Sequence, residues 1–150
     1  MREDGKIGRW GVSNFDVDDI DELLSIPEGA HCAANQVLYN LGERGIEHRL
    51  REQCATNDVV IMAYSPFAQG DLLRNARLMS IAAKLEMTPS QVAIAWLLAQ
   101  TGTIAIPQSS NVDHVREFRA AADARLSPDA MQAIDAAFPR PRKARPLAML

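Results

Sequence analysis

The chain has 150 residues, 47% of them hydrophobic and 23% charged, with a formal net charge of −3. This is the balance of a globular domain able to bury a core, and the lack of a basic excess argues against a nucleic-acid partner. No apolar run approaches the roughly 18 residues of a membrane-crossing helix, the charged opening Met1-Arg2-Glu3-Asp4-Gly5-Lys6 holds no signal-peptide core, and Cys32 and Cys54 share no metal or redox spacing, so a cytoplasmic protein with reduced thiols, no metal site and no membrane partner is expected.

Residues 7–12, Ile-Gly-Arg-Trp-Gly-Val, read as a short strand. Ser13-Asn14 follow, and Val17, Ile20, Leu23 and Leu24 recur at helical spacing over 15–25. The acidic residues Asp16, Asp18, Asp19, Asp21 and Glu22 crowd the first turns of this helix, where its dipole favours them. Residues 33–38 form a second apolar run that carries two amides, Asn35 and Gln36. A helix is expected over 46–56, with Ile46, Leu50 and Cys54 four apart. Residues 59–63, Val-Val-Ile-Met-Ala, are continuously apolar, as in a strand buried on both faces.

Tyr64-Ser65-Pro66 closes that strand, and a loop precedes a helix over 77–85. Thr88-Pro89-Ser90-Gln91 then combines an N-cap threonine, proline at the first position and a capping-box glutamine. The helix it starts runs to about Gln100 and is apolar around much of its surface, so it should be buried. A fourth strand spans 103–106, a helix spans 112–122, and a last helix opens at Ser127-Pro128 and reaches Ala137. The tail from Pro139 is rich in proline and arginine, which rules out a helix and suggests a basic, mobile arm.

A βα unit repeated four times implies a parallel sheet with covering helices. No Gly-x-Gly-x-x-Gly follows the first strand, which removes the main support for a Rossmann fold. In a (β/α)8 barrel the polar, functional residues sit at the C-terminal ends of the strands. Here Ser13-Asn14, Asn35-Gln36, Tyr64-Ser65 and Gln108-Ser109-Ser110 fall at those ends. At the last of them an apolar strand runs through Ile106-Pro107 into a helix with Asn111 as its cap, a junction that suits a phosphate.

Five segments, in order, resemble the aldo-keto reductase family: Gly11-Val12-Ser13-Asn14-Phe15, Asn35-Gln36-Val37 with Tyr39-Asn40, Ala63-Tyr64-Ser65-Pro66-Phe67, Thr88-Pro89 with Gln91-Val92-Ala93 and Trp96, and Ile106-Pro107-Gln108-Ser109-Ser110-Asn111. The resemblance implies an α/β fold, a parallel half-barrel corresponding to strands 5–8 of a TIM-type (β/α)8 barrel. It would occupy residues 1–138, with 139–150 as a Pro/Arg-rich tail.

It further implies a nicotinamide cofactor, NADP with NAD possible. Ser13, Asn14 and Gln36 match the residues that hold the carboxamide, a group whose acceptor and donors such side chains complement. Tyr64 matches the aromatic residue stacked on the nicotinamide. Ser65 and Phe67 flank the pyrophosphate, and Ser109 and Ser110 contact the adenosine phosphate. The family commonly has Lys at Gln108, Arg at His114 and Asn at Phe118. The two cations clamp a 2′-phosphate by charge-assisted hydrogen bonds, so their replacement weakens that grip. His31 and His48 read as structural.

The family's catalytic Asp, Tyr, Lys and His lie on the first four strands, and neither Tyr39 nor Tyr64 occupies the acid position. Met1 to Asp4 resembles the end of the helix preceding the fifth strand. The expectation is therefore a truncated reductase that keeps the cofactor half, contributes no catalytic residue, and takes a small carbonyl substrate only when completed. Self-association or an N-terminal-half partner should cover its open sheet. A non-catalytic nicotinamide-binding or regulatory subunit and an inert oligomerising fragment are the alternatives.

Overall fold

A computed structural model describes residues 4–150, so the resemblance of Met1-Arg2-Glu3 to a helix end lies outside the described residues. Four parallel strands, β1 (Trp10–Ser13), β2 (Cys32–Leu38), β3 (Val60–Tyr64) and β4 (Thr103–Ala105), lie side by side in chain order. Helices α1 (Val17–Ser25), α2 (Leu50–Thr56), α3 (Ala76–Lys84), α4 (Pro89–Leu98), α5 (Val112–Ala121) and α6 (Pro128–Ala137) fill the connections and the end. This is a parallel α/β half-barrel. Among the described residues no helix is long and apolar enough to cross a membrane.

Local chemistry sets the helix starts. Asp16 caps α1 in a reciprocal box with Asp19, and Thr88 does the same for α4 with Gln91. Asn75, Asn111 and Ser127 cap α3, α5 and α6 through side-chain oxygens. Helix α4 is apolar on nearly every side and accordingly lies inside, with Trp96 and Leu97 fully buried.

The sheet is covered on one face only. Asn35, Val37, Ile61 and Ala63 point into the helix layer and are buried, whereas Gly11, Ser13, Gln36, Met62 and Ile104 alternate with them along a shallow groove of 550 Å³. This corrects the expectation for β3: Val60 and Met62 are half-buried because their face looks into the groove. Gly11 sits where β1 and β2 crowd, since a Cβ there would stand 2.5 Å from the Ala34 carbonyl oxygen.

Two other expectations shift. The first strand begins at Trp10 rather than Ile7, after Gly5 takes a φ of 68° and the register slips between Trp10 and Gly11. The helix expected over 46–56 divides into a 3-10 turn, Gly45–His48, and α2, with the break at Arg49. A 3-10 turn stacks residues three apart, and this one brings Glu47 onto Arg44 at 2.7 Å. Arg44 also reaches Asp135 and the Phe138 carbonyl and lies over the Trp96 ring, 5.0 Å from its centroid. Burial alone would lower the Arg44 pKa, but its hydrogen bonds and charge pairing with Glu47 and Asp135 outweigh it and the net direction is upward. Tyr39 donates to the same Glu47 and packs on Trp96 at 5.3 Å; burial and then Glu47 hold its phenol protonated far above the ordinary range.

The tail is not a free arm. Leu147 packs on the core, its N–H donates to Asp16 (3.0 Å), and the Pro141 carbonyl meets His48 Nε2 at 2.6 Å. An extended, proline-rich segment makes no bonds within itself, so it takes them from the body it crosses.

Candidate functional site

Beyond the ends of β3 and β4 opens a cleft of 730 Å³, bounded by the segment after β3, the first turn of α4 and the β4–α5 junction. Its floor has unusual backbone. Ser65, Ala68 and Gln69 have φ of 50°, 47° and 55°, and Gly70 follows at 97°. Non-glycine residues occupy the left-handed region at a cost and persist there when their surroundings hold them. The holding is visible. The Ser65 hydroxyl accepts from Gln69 N–H (3.2 Å), and the Ser65 carbonyl accepts from Ala68 N–H (3.0 Å) and from the Asn40 side-chain amide (2.9 Å). Asn40 is itself fixed, its Oδ1 accepting from Gly42 and Glu43 N–H groups.

The far wall is aromatic. Phe67 packs on Phe118 with ring centroids 5.2 Å apart, and the His114 ring lies 6.3 Å from Phe118. Gln108 completes this end. Ser109 stands behind His114: its hydroxyl accepts from Asn111 N–H and meets His114 Nδ1 at 3.1 Å. Glu117 also lines the cleft, and its carboxylate accepts from the hydroxyls of Thr88 and Ser90.

At the other end, Ser13 pairs with Gln36 across β1 and β2. The Ser13 hydroxyl and the Asn14 N–H both donate to the Gln36 carbonyl, at 3.1 and 2.8 Å. Asn14 takes a φ of 58°, and its side-chain oxygen is buried without a partner. Buried polar atoms are nearly always paired, so this oxygen is an exception, and Asn14 lines neither the groove nor the cleft. The Tyr64 hydroxyl accepts from Leu150 N–H at 3.3 Å.

The sequence candidates therefore divide. Ser13 and Gln36 line the groove; Tyr64, Ser65, Phe67, Gln108 and His114 line the cleft. Groove and cleft adjoin on one sheet face, because Met62 and Tyr64, like Ile104 and Ile106, are two residues apart on a strand and its extension. Ser109 supports His114 rather than facing the cleft, and Ser110 is exposed outside the lining. Asn35 turns to the helix layer, where its amide bonds the Phe15 carbonyl (2.8 Å). Sequence reasoning missed Glu117, Gln69 and Ser90. Glu117 lies one turn after His114, a spacing that shares a helix face. Ser90 was hidden in a segment read only as a helix start. Among the described residues no group of three His, Cys, Asp or Glu is placed to hold a metal.

The Aldo/keto reductase family model matches residues 1–138. Methylglyoxal reductase YeaE of Escherichia coli (strain K12) is 42% identical over 143 residues, 92% of this chain and 50% of that protein. Glyoxal reductase of Bacillus subtilis (strain 168) is 37% identical over 136 residues, 91% of this chain and 48% of the relative. Among solved structures, an aldo-keto reductase from Klebsiella pneumoniae in complex with NADPH superposes with a TM-score of 0.94 at 36% identity, covering 99% of this chain and 54% of that one. The chain thus spans about half the length of the relatives it matches, as a half-barrel should. With the strand order, the polar strand ends and these likenesses in agreement, the chain belongs to the aldo/keto reductase family.

Proposed function

We propose that this chain is the cofactor-holding half of a nicotinamide-dependent carbonyl reductase. The observation that carries the reading is the alignment of Ser13 and Gln36 in the groove with Tyr64, Ser65, Phe67, Gln108 and His114 in the adjoining cleft; Asn14, next to Ser13, completes the polar group at the groove end. Ser13, Asn14 and Gln36 suit a carboxamide, which needs one group to accept from its N–H and others to donate to its oxygen. Tyr64 offers a flat face on which the nicotinamide ring rests, which fixes the face turned to substrate. Ser65 flanks the pyrophosphate over the left-handed segment, and the Phe67, Gln108 and His114 end receives the adenosine. Neighbours solved with NADPH favour NADP as the ligand, with NAD admitted.

When bound, the nicotinamide supplies the hydride that reduces an aldehyde or ketone. Reduction also needs a proton donor within reach of the carbonyl oxygen, and no residue assigned above takes that role. Under this reading the acid comes from a second half-barrel, either an N-terminal half or a partner chain. The substrate is then a small carbonyl compound, of the kind named in the relatives methylglyoxal reductase and glyoxal reductase. Residues 1–138 make the half-barrel and 139–150 the tail that crosses it. The two buried free thiols fit a cytoplasmic setting.

The test is titration of the 150-residue chain with NADPH and NADH, followed by the nicotinamide fluorescence, with methylglyoxal then added. Binding without consumption of the reduced cofactor is expected. Ser13→Ala and Tyr64→Ala should each weaken binding by about tenfold, the scale of one lost hydrogen bond or ring contact. Failure to bind either dinucleotide overturns the cofactor reading, and turnover by the chain alone overturns the missing acid.

A further inference from the structure

The adenosine end of the cleft is built from rings and amides, and among the described residues no lysine or arginine lines it. The arginines nearest in sequence are engaged elsewhere: Arg116 pairs with Asp113 at 2.9 Å, Arg119 with Asp123 at 2.6 Å and Arg74 with Asp71 at 2.8 Å, all on the exposed surface. The one carboxylate in the lining, Glu117, is held at the wall by Thr88 and Ser90. A 2′-phosphate carries close to two negative charges. Here it would meet a neutral amide at Gln108, the His114 ring and a nearby carboxylate, with no lysine or arginine among the described lining residues.

What the wall does offer is π surface. Phe67, Phe118 and His114 form a continuous run of rings along the cleft. Stacking of a base on such a surface is tolerant of charge elsewhere on the nucleotide.

Taking the cleft as the cofactor site proposed above, we infer that its adenosine end is an aromatic seat without a lysine or arginine clamp. It holds adenine by stacking on Phe118 and His114 and does not select for a 2′-phosphate. NADH and NADPH therefore bind with comparable affinity, and neither affinity rests on an ion pair.

Calorimetric titration of the full chain at pH 8, in low and high salt, measures this directly. The expected result is dissociation constants for NADH and NADPH within about threefold of each other, with little change for NADPH on adding salt, because no ion pair is screened. Phe118→Leu keeps an apolar contact with Phe67 but loses the stacking face. It should weaken both dinucleotides by about tenfold, without altering their ratio; Phe118→Tyr should restore both. The double variant Gln108→Lys, His114→Arg, at two exposed positions, should strengthen NADPH alone by at least about tenfold through charge-assisted bonds. NADPH binding more than tenfold tighter than NADH in the unaltered chain overturns the seat while leaving the cofactor reading intact. A Phe118→Leu variant that folds and binds as before also overturns it. Binding of neither dinucleotide overturns both readings.

Discussion

Cys54 lies fully buried on α2, with the Asn35 amide beside it and Cys32 nearby. Burial pushes its thiol up to about 11 from an ordinary value of 9.0; the Asn35 hydrogen bond pulls the other way, and Cys32 adds to the rise. The folded state thus holds this proton more tightly than the unfolded chain. By linkage the stabilisation is fully present below pH 9 and is lost as pH rises through about 11. The urea midpoint should fall across that window, and Cys54→Ala should flatten part of the fall; an equal slope in both proteins would rule the thiol out as its source. Tyr39, also held protonated by burial and Glu47, adds to the loss in the same direction at higher pH. At this scale the sequence was partly legible. Gln36 and Asn35 are adjacent amides, yet strand alternation sends one to the groove and the other to the helix layer. Which is which follows from register, and register depends on the whole sheet.

Elements were more legible than their breaks. Thr88-Pro89 and Ser127-Pro128 announce α4 and α6 because capping is a local reaction between a side chain and the next three N–H groups. The division of the 46–56 helix accompanies a contact from Arg44 to Asp135, ninety-one residues on, and no local pattern carries that contact. The left-handed run at Ser65, Ala68 and Gln69 is held locally by Ser65 and, from outside, by Asn40 on the Ser65 carbonyl. The turn joining α1 to β2 depends on close approach: a Cβ on Gly29 would stand 1.8 Å from the Leu23 carbonyl oxygen. Gly29→Ala must push the 3-10 turn Gly29–His31 off α1, and should cost about 3 kcal/mol in urea unfolding, the upper part of the usual range for overpacking. A loss under 0.5 kcal/mol would show that the turn yields freely.

At the scale of the molecule, β1 and β4 are unpaired edges among the described residues, and the groove face between them carries Met62 and Ile104, the latter 48% exposed. Open edges beside apolar surface promote association. Two copies related by a two-fold axis along the barrel would set β4 of each beside β1 of the other with strands still parallel, so a second copy can close the sheet. The 150-residue chain should therefore run as a dimer or larger species in light scattering at micromolar concentration. Met62→Lys and Ile104→Lys, which place charge on the groove without touching the buried face, should shift it toward monomer. A monodisperse monomer across that range defeats the expectation. The fold class itself was visible in the βα alternation. The tail was not, because its bonds to Asp16 and His48 join segments far apart in the chain.

The sheet order matches chain order, with each strand beside the next one made. The strand pairings are closed across α1, across α2, and across α3 with α4, and loop entropy grows only slowly with the length of each connection. The half-barrel can assemble progressively as a ribosome delivers it, β1 with β2, then β3, then β4. The contact from Leu147 back to Asp16 spans 131 residues and can form only after the body exists. Hydrogen exchange during refolding should thus protect β2 and β3 early and the Leu147 amide last, so that the tail fastens across Asp16 and His48 after the sheet and its helices have taken shape.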